Sequence, residues 1–213
     1  KHHLWIFSGS VKGVSQNLHD GDVVEVFSNN GEYLATGHCE DGSICVRILS
    51  FVRTNIDNDF WRKQIENAIN KRKAMQLFDF NCTNAFRIIH AESDMMPGLI
   101  ADYYNGAIVL QAHSVGMFNA LPVIAECFVE LLGSLVHTIY CKSATTVRRI
   151  SAERDKNFFL YGSQTTADVC ENGMKYTVDF VNGQKTGFFI DQRNNRQIIS
   201  DYCKGKRVLN VFG

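Results

Sequence analysis

The chain has 213 residues, 45% of them hydrophobic and 21% charged, with 22 basic and 22 acidic side chains and so a formal net charge of zero. That is the composition of an ordinary globular protein, one large domain or two small ones, able to bury roughly 70% of its unfolded surface without staples. It excludes fibrous and low-complexity classes. A bilayer span needs ~20 apolar residues in a row, and even residues 118–136 are broken by Asn119, Pro122, Glu126 and Glu130, so membrane insertion is excluded.

Seven cysteines, at 39, 45, 82, 127, 141, 170 and 203, form no Cys-x-x-Cys pair and follow no secretory leader. Free thiols in a reducing cytoplasm are expected. The chain opens at Lys1 and ends at Gly213 inside a strand-like run, which reads as a piece of something longer. Charge is uneven: residues 1–75 carry nine basic and nine acidic residues, residues 76–181 seven and eleven, and residues 182–213 six and two. The basic last segment suits a phosphate-bearing partner or, equally, a solvated helix face.

Between Trp5 and Val52 the chain is a series of short β-type runs, at residues 23–27, 33–39 and 44–49, separated by Ser28-Asn29-Asn30-Gly31 and Glu40-Asp41-Gly42. Asn-Gly and Asp-Gly tolerate positive φ and signal hairpins, so a small antiparallel barrel or sandwich is predicted. Asp57-Asn58-Asp59 caps a helix with Trp61, Ile65, Ala68 and Ile69 on one face and Arg62, Lys63, Lys71, Arg72 and Lys73 elsewhere; this helix is expected to close the first unit. Strands follow at 86–91, 99–104 and 107–111, then a helix at 118–132, then strands at 136–141 and 176–181. A basic helix over 191–203 and a strand over 207–212 complete the chain.

Residues 182–196 concentrate glycines, cations, amides and hydroxyls just before that helix. Two readings stand: a ligand-contacting segment using Lys185, Arg193 and Arg196 against phosphate or carboxylate with Phe188 and Phe189 as a stacking face, or a turn from Gly183 to Gly187 capped by Asp191. The seven histidines lack the short spacing of a metal site, so no metal is assigned. Trp5 and Phe7 suit a core role before a base-stacking one. Arg47, Arg53, Arg62, Lys63, Lys71, Arg72 and Lys73 are candidate phosphate contacts.

Gly183-Gln184-Lys185-Thr186-Gly187-Phe188-Phe189-Ile190-Asp191-Gln192-Arg193, with Asn195 and Arg196, resembles the signature of RNA cytosine-5 methyltransferases of the large-subunit (23S) ribosomal RNA type, the RlmI (YccW) group. His3-Leu4-Trp5-Ile6-Phe7-Ser8-Gly9 resembles the opening of that family's PUA domain, and residues 91–104 resemble a run of its central domain. Glu171-Asn172-Gly173 precedes a further matching strand. The similarity runs over essentially the whole chain, with three departures: Leu4 for proline, Met95-Met96 for a Gly-Leu-like pair, and Tyr103 where arginine is common.

The resemblance implies an α+β architecture. Residues 1–75 would be a PUA-like antiparallel β-barrel gripping RNA, residues 76–181 a central β-β-α-β-β domain, and residues 182–213 the start of a Rossmann-like domain for S-adenosylmethionine. It implies cofactor contacts at Lys185, Thr186, Phe189, Gln192, Arg193, Asn210, Phe212 and Gly213, and ribosomal RNA contacts at Arg47, Arg53, Arg62, Lys63, Arg72 and Lys73. The expected activity is methylation of carbon 5 of a cytosine in ribosomal RNA by a cytoplasmic protein, with a homodimer kept open. That chemistry needs a thiolate, and no cysteine follows Cys203, so no catalytic residue is expected here and the chain alone is expected to be inactive. The competing expectation is a non-catalytic RNA-binding adaptor module lacking the methyltransferase domain, which would bind RNA but no cofactor.

Overall fold

In a computed structural model, which describes residues 3–147, 149–151 and 154–211, the first unit is built from β1 (Trp5–Phe7), β2 (Val23–Phe27), β3 (Tyr33–Cys39) and β4 (Ile44–Ser50). These pair antiparallel in the order β1-β4-β3-β2. The hairpins sit where the sequence places them, and Gly31 takes φ +81° at the first. The sheet is open where a barrel was expected: β1 and β2 are its two edges and do not pair. Its own core is small, Leu4, Ala35 and Ile48, so it depends on what lies beneath it.

Asp57 caps α1 (Asn58–Ala74), its carboxylate accepting from the Phe60 amide at 3.0 Å. Trp61, Ile65, Ala68 and Ile69 are buried, but in the core that holds Ile88, Leu99 and Phe128 of the central unit. The helix therefore packs on the central unit instead of closing the first. Periodicity shows that a helix has an apolar face and is silent about which sheet that face meets.

The central sheet contains β5 (Ala85–His90), β6 (Leu99–Tyr104), β7 (Ala107–Ala112), β8 (Thr138–Lys142) and β9 (Asn157–Tyr161), in that order. All neighbours are antiparallel except β7 and β8, which are joined in parallel through α2 (Val115–Leu132). β10 (Thr166–Glu171) and β11 (Met174–Asp179) form a separate hairpin through Asn172 and Gly173, both at positive φ. The expected β-β-α-β-β frame is present with one strand more in its sheet and this hairpin added. Neither β9 nor β10 was anticipated, since both are short and β10 interleaves Ala167 and Val169 with polar residues.

Ile108 and Leu110 of β7 face α1 and α2, whereas Ala107 and Val109 face the hairpin's Ala167, Val169 and Val178. Both faces of the sheet are covered, which is why β7 is buried along its whole length. By length and composition α2 and its following turn pass for a membrane span, contrary to the sequence expectation, yet its Phe118, Leu121, Ile124 and Phe128 are buried in this core. It is a core helix.

The first sheet is bolted to this layer. Glu40 pairs with Arg47 and accepts from the Val115 amide at 3.3 Å, Trp5 donates to Glu92 at 2.8 Å, and the His38 ring lies 6.0 Å from that of Trp61. Of the three departures, Leu4 is core, Met95 adopts left-handed φ +58° where the family pattern has glycine, and Tyr103 stacks on Phe80 and donates to the Leu135 carbonyl. Tyr103 is thus an internal residue.

The end of the chain differs from expectation. A short 3-10 turn (Ile190–Gln192) precedes α3 (Arg193–Cys203), so Asp191 lies inside that turn and Gln192 takes the capping position without a side-chain bond. Residues 207–211 form no strand, and Leu209 is 86% exposed. The described residues provide no neighbouring strand, and strand backbone needs a partner for its amides and carbonyls. Phe212 and Gly213 lie outside the described residues.

Candidate functional site

The segment 180–192 is shaped from below. Lys142 donates to the Phe180 carbonyl at 2.7 Å and also to that of Gly183, and burial holds its ammonium pKa below the ordinary lysine value. Gly187, at φ +116°, passes so close to the backbone of Phe180 that a Cβ would sit 2.7 Å from its Cα. Only glycine fits there.

Thr186 is consequently turned inward. Its hydroxyl donates to Asp102 at 2.7 Å and accepts from Tyr104 at 2.8 Å. Asp102, fully buried on β6, is held by both arms of Arg87 on β5 at 2.7 and 3.0 Å. Burial, reinforced by the Asp102 charge, pushes the Tyr104 phenol well above its ordinary value, and the hydrogen bond to Asp102 raises that of Arg87. A second anchor lies beside it. Fully buried Glu171 accepts from Arg193 at 3.3 Å and from Arg196 at 2.7 and 2.8 Å. Arg193 also reaches the Ala85 carbonyl, and the Arg196 guanidinium stacks 4.2 Å from the Phe188 ring.

These partners sort the expected cofactor residues. Thr186 and Arg193 are spent on the protein's own groups. Lys185, Phe189 and Gln192 are exposed, with the Lys185 ammonium 4.9 Å over the Phe189 ring and Gln192 bonded to Asp191 and Asn195. Asn210 is exposed beyond α3. The described residues among them present an open surface and no enclosed cradle for an adenine and ribose.

The expected RNA residues also divide. Arg47 is sunk in its pair with Glu40, and Arg72 grips buried Asp94 with both arms at 2.6 and 2.7 Å; both are internal braces. Arg53 is exposed, paired with Glu25 at 2.9 Å and 5.0 Å from the Tyr33 ring. Arg62 is exposed and paired with Glu130 at 2.9 Å on α2. Lys63 and Lys73 are exposed on α1.

One relationship cuts across the two sets. A cleft of about 550 Å³ between the end of α1, β5 and the turn before α3 is lined by Lys71, Arg72, Arg87 and Arg193 over Met75, Phe86 and Ile190. It joins a residue expected for RNA to one expected for the cofactor. The sequence reading missed Arg87, Asp102, Asp94 and Glu171 as anchors. A signal existed: Arg87 and Asp102 are opposite charges inside otherwise apolar strands, and they prove to be direct cross-strand partners. Among the described residues no cluster of His, Cys, Asp and Glu could hold a metal ion.

Residues 1–51 match the sequence model of a PUA-like domain, and residues 145–213 that of an S-adenosylmethionine-dependent methyltransferase. The whole chain aligns at 36% identity with ribosomal RNA large subunit methyltransferase I of Aeromonas salmonicida, covering 54% of that protein, and at 35% with its namesake from Aliivibrio fischeri ES114, again covering 54%. The chain thus spans about half the length of the curated relatives it matches. Among solved structures, an S-adenosylmethionine-dependent methyltransferase from Streptococcus mutans superposes with a TM-score of 0.74 at 21% identity, over 92% of this chain and 49% of that one. A second, SMU.776, described as a methyltransferase complexed with SAH, gives 0.70 at 22% identity, over 84% and 45%. At those identities the superpositions speak for the fold.

Proposed function

We propose that this chain, which aligns over its whole length at 35–36% identity with two ribosomal RNA large subunit methyltransferases I, holds ribosomal RNA for transfer of a methyl group to carbon 5 of a cytosine. In this reading residues 1–75 grip RNA, residues 76–181 support the substrate, and residues 182–213 open the methyltransferase domain, in a cytoplasmic protein with a homodimer as the candidate assembly. S-adenosylmethionine supplies the methyl group when bound. Lys185, Phe189 and Gln192 are the exposed residues of the segment available to border it, with Asn210, Phe212 and Gly213 proposed for its first loop; Arg53, Lys63 and Lys73 are the candidate phosphate contacts.

The observation that carries the reading is the double anchor. Within the segment matching the methyltransferase model, residues 182–196 are fixed to the central sheet through Thr186 on Asp102 and Arg193 on the Ala85 carbonyl, and to the β10–β11 hairpin through Arg193 and Arg196 on Glu171. An RNA held on the central unit is thereby held in register with whatever the methyltransferase domain binds, and such positioning lowers the barrier to group transfer.

Methylating carbon 5 requires a thiolate to add to carbon 6; carbon 5 then takes the methyl group, loses its proton, and the thiolate leaves. Three of the thiols are poorly suited. Burial pushes Cys141 up to about 11 and raises Cys39 and Cys127 as well, so they stay protonated and unreactive at neutral pH. The test is RNA containing 5-fluorocytidine with S-adenosylmethionine present, which traps the covalent adduct because the fluorine on carbon 5 cannot leave as the proton does. The chain should bind it in a salt-dependent manner and form no adduct, whereas adduct formation on one of these cysteines overturns the division of labour and absence of RNA binding overturns the RNA reading.

The open face around Lys185 and Phe189 favours a second reading, a non-catalytic RNA-binding adaptor. Reading the encoding gene past the codon for Gly213 separates the two: a following methyltransferase domain that binds S-adenosylhomocysteine by calorimetry supports the enzyme, and its absence the adaptor.

A further inference from the structure

The cleft bordered by Lys71, Arg72, Arg87 and Arg193 plays no part in the double anchor beyond sharing two of its arginines. Its volume, about 550 Å³, falls in the ~300–1,000 Å³ range of ligand sites. Its apolar lining comes from Met75, Phe86 and Ile190. We infer that it seats one nucleotide of a single RNA strand, its phosphodiester held by Lys71, Arg87 and Arg193 and its base lying against the apolar lining. The inference rests on the RNA-binding reading above and gives it a location.

Three observations support it. First, the charges do not cancel: Asp94 serves both Lys71 and Arg72, and Glu171 serves both Arg193 and Arg196, so each buried carboxylate faces two cations. Asp102 neutralises Arg87, and Asp191 adds one more carboxylate to its field, which leaves the neighbourhood one positive charge in surplus. Second, the arginines are fixed in advance. Arg87 uses Nε and Nη2 on Asp102, and Arg193 uses Nε on Glu171 and Nη2 on Ala85. The Nη1 of each has no protein hydrogen-bond partner among the described residues and is left to donate to a phosphate oxygen without the entropy cost of ordering a mobile side chain. Third, Lys71, bonded to Asp94 and to the Ser93 carbonyl at 3.3 Å, is 53% exposed, a cation open to solvent in the lining of the same cleft.

The test is fluorescence anisotropy with a labelled ten-nucleotide single-stranded RNA across a salt series, on the full chain and its Lys71→Ala and Lys175→Ala variants. Lys71 can be removed without undoing Asp94, which Arg72 still holds, and an unchanged thermal melt checks this. Lys175 lies on β11 beside a different cleft. Lys71→Ala should weaken binding several-fold and lower the salt slope by about one, and Lys175→Ala should leave both as in the parent. Photo-crosslinking with 4-thiouridine RNA should mark peptides containing Met75, Phe86 or Ile190. RNA binding with no effect of Lys71→Ala, or crosslinks only elsewhere, overturns the cleft while the RNA reading stands. No RNA binding by a folded chain overturns both, and saturable inorganic phosphate binding without RNA binding replaces the strand with a free anion.

Discussion

The hydroxyl of Thr186 donates to Asp102 across 2.7 Å, with both residues sealed from solvent and 84 positions apart in the chain. Through this bond the segment 182–192 is read by the central sheet as though it were part of it. Asp102 already satisfies Arg87, and Thr186 accepts from Tyr104, so four side chains form one chain of donors and acceptors, each dependent on the next.

Replacing Thr186 by valine keeps the shape and removes both bonds. It strips a donor from a buried carboxylate and leaves the Tyr104 hydroxyl only the Phe188 carbonyl at 3.5 Å, a loss of about 1.5–3 kcal/mol. Urea denaturation of the Thr186→Val chain should show that loss with an unchanged slope, and Thr186→Ser should recover most of it. Equal stability in valine and serine variants would mean the network contributes only packing.

Glu171 supports α3 in a comparable way. Neutralised by Glu171→Gln, it would leave Arg193 and Arg196 facing a buried amide, and the cost of breaking a buried ion pair, about 3–5 kcal/mol, is an upper bound because both arginines keep some solvent contact. The expected signature is local. Amide hydrogen exchange should accelerate across residues 190–203 while β6 and β7 keep their protection, and uniform acceleration would show that α3 is not held by this pair.

These anchors were harder to read from the sequence than the frame they hold. The hairpins at residues 28–31 and 40–42 were legible because Asn-Gly and Asp-Gly carry their backbone conformation with them, and α1 was legible because Asp57 and the spacing of Trp61, Ile65 and Ala68 are local signals. The fates of Arg47, Arg72, Thr186 and Arg193 were not. A sequence shows that a residue is cationic or polar and does not show that Glu40, Asp94, Asp102 or Glu171 is waiting for it. The strand expected at 207–212 failed for a related reason, since apolar residues announce a strand only where a neighbour exists to pair with it.

Stability should also depend on pH through His38. The ring is buried against α2 and Trp61, its Nδ1 has no hydrogen-bond partner among the described residues, and burial, with a smaller contribution from Arg47, lowers its pKa from 6.5 to about 4. Because the folded form binds the proton more weakly than the unfolded form, stability is complete above pH 6.5 and falls as the pH drops toward 4. The full loss corresponds to about 3 kcal/mol at 1.36 kcal/mol per unit. Urea midpoints measured between pH 7.5 and pH 4 should trace this fall, superimposed on carboxylate titration, and His38→Leu should flatten it; an unchanged slope in that variant would assign the effect to other groups.

The same ring explains a glycine inside a helix. Gly116 sits in the first turn of α2, where alanine would ordinarily be preferred by about 1 kcal/mol, yet a Cβ there would collide with the His38 ring. The first sheet can approach the central layer this closely only because that position lacks a side chain. Gly116→Ala should therefore destabilise the chain by about 1–3 kcal/mol, as overpacking does, despite its better helix propensity. His38→Ala removes the ring but keeps the His38 Cβ, 2.7 Å from where the new one would sit, so in that background the alanine at 116 should cost less without becoming favourable. A double-mutant cycle on urea midpoints measures the coupling, expected at about 1–3 kcal/mol for residues in contact. Additive effects would mean that His38 and Gly116 do not set the spacing between the two units.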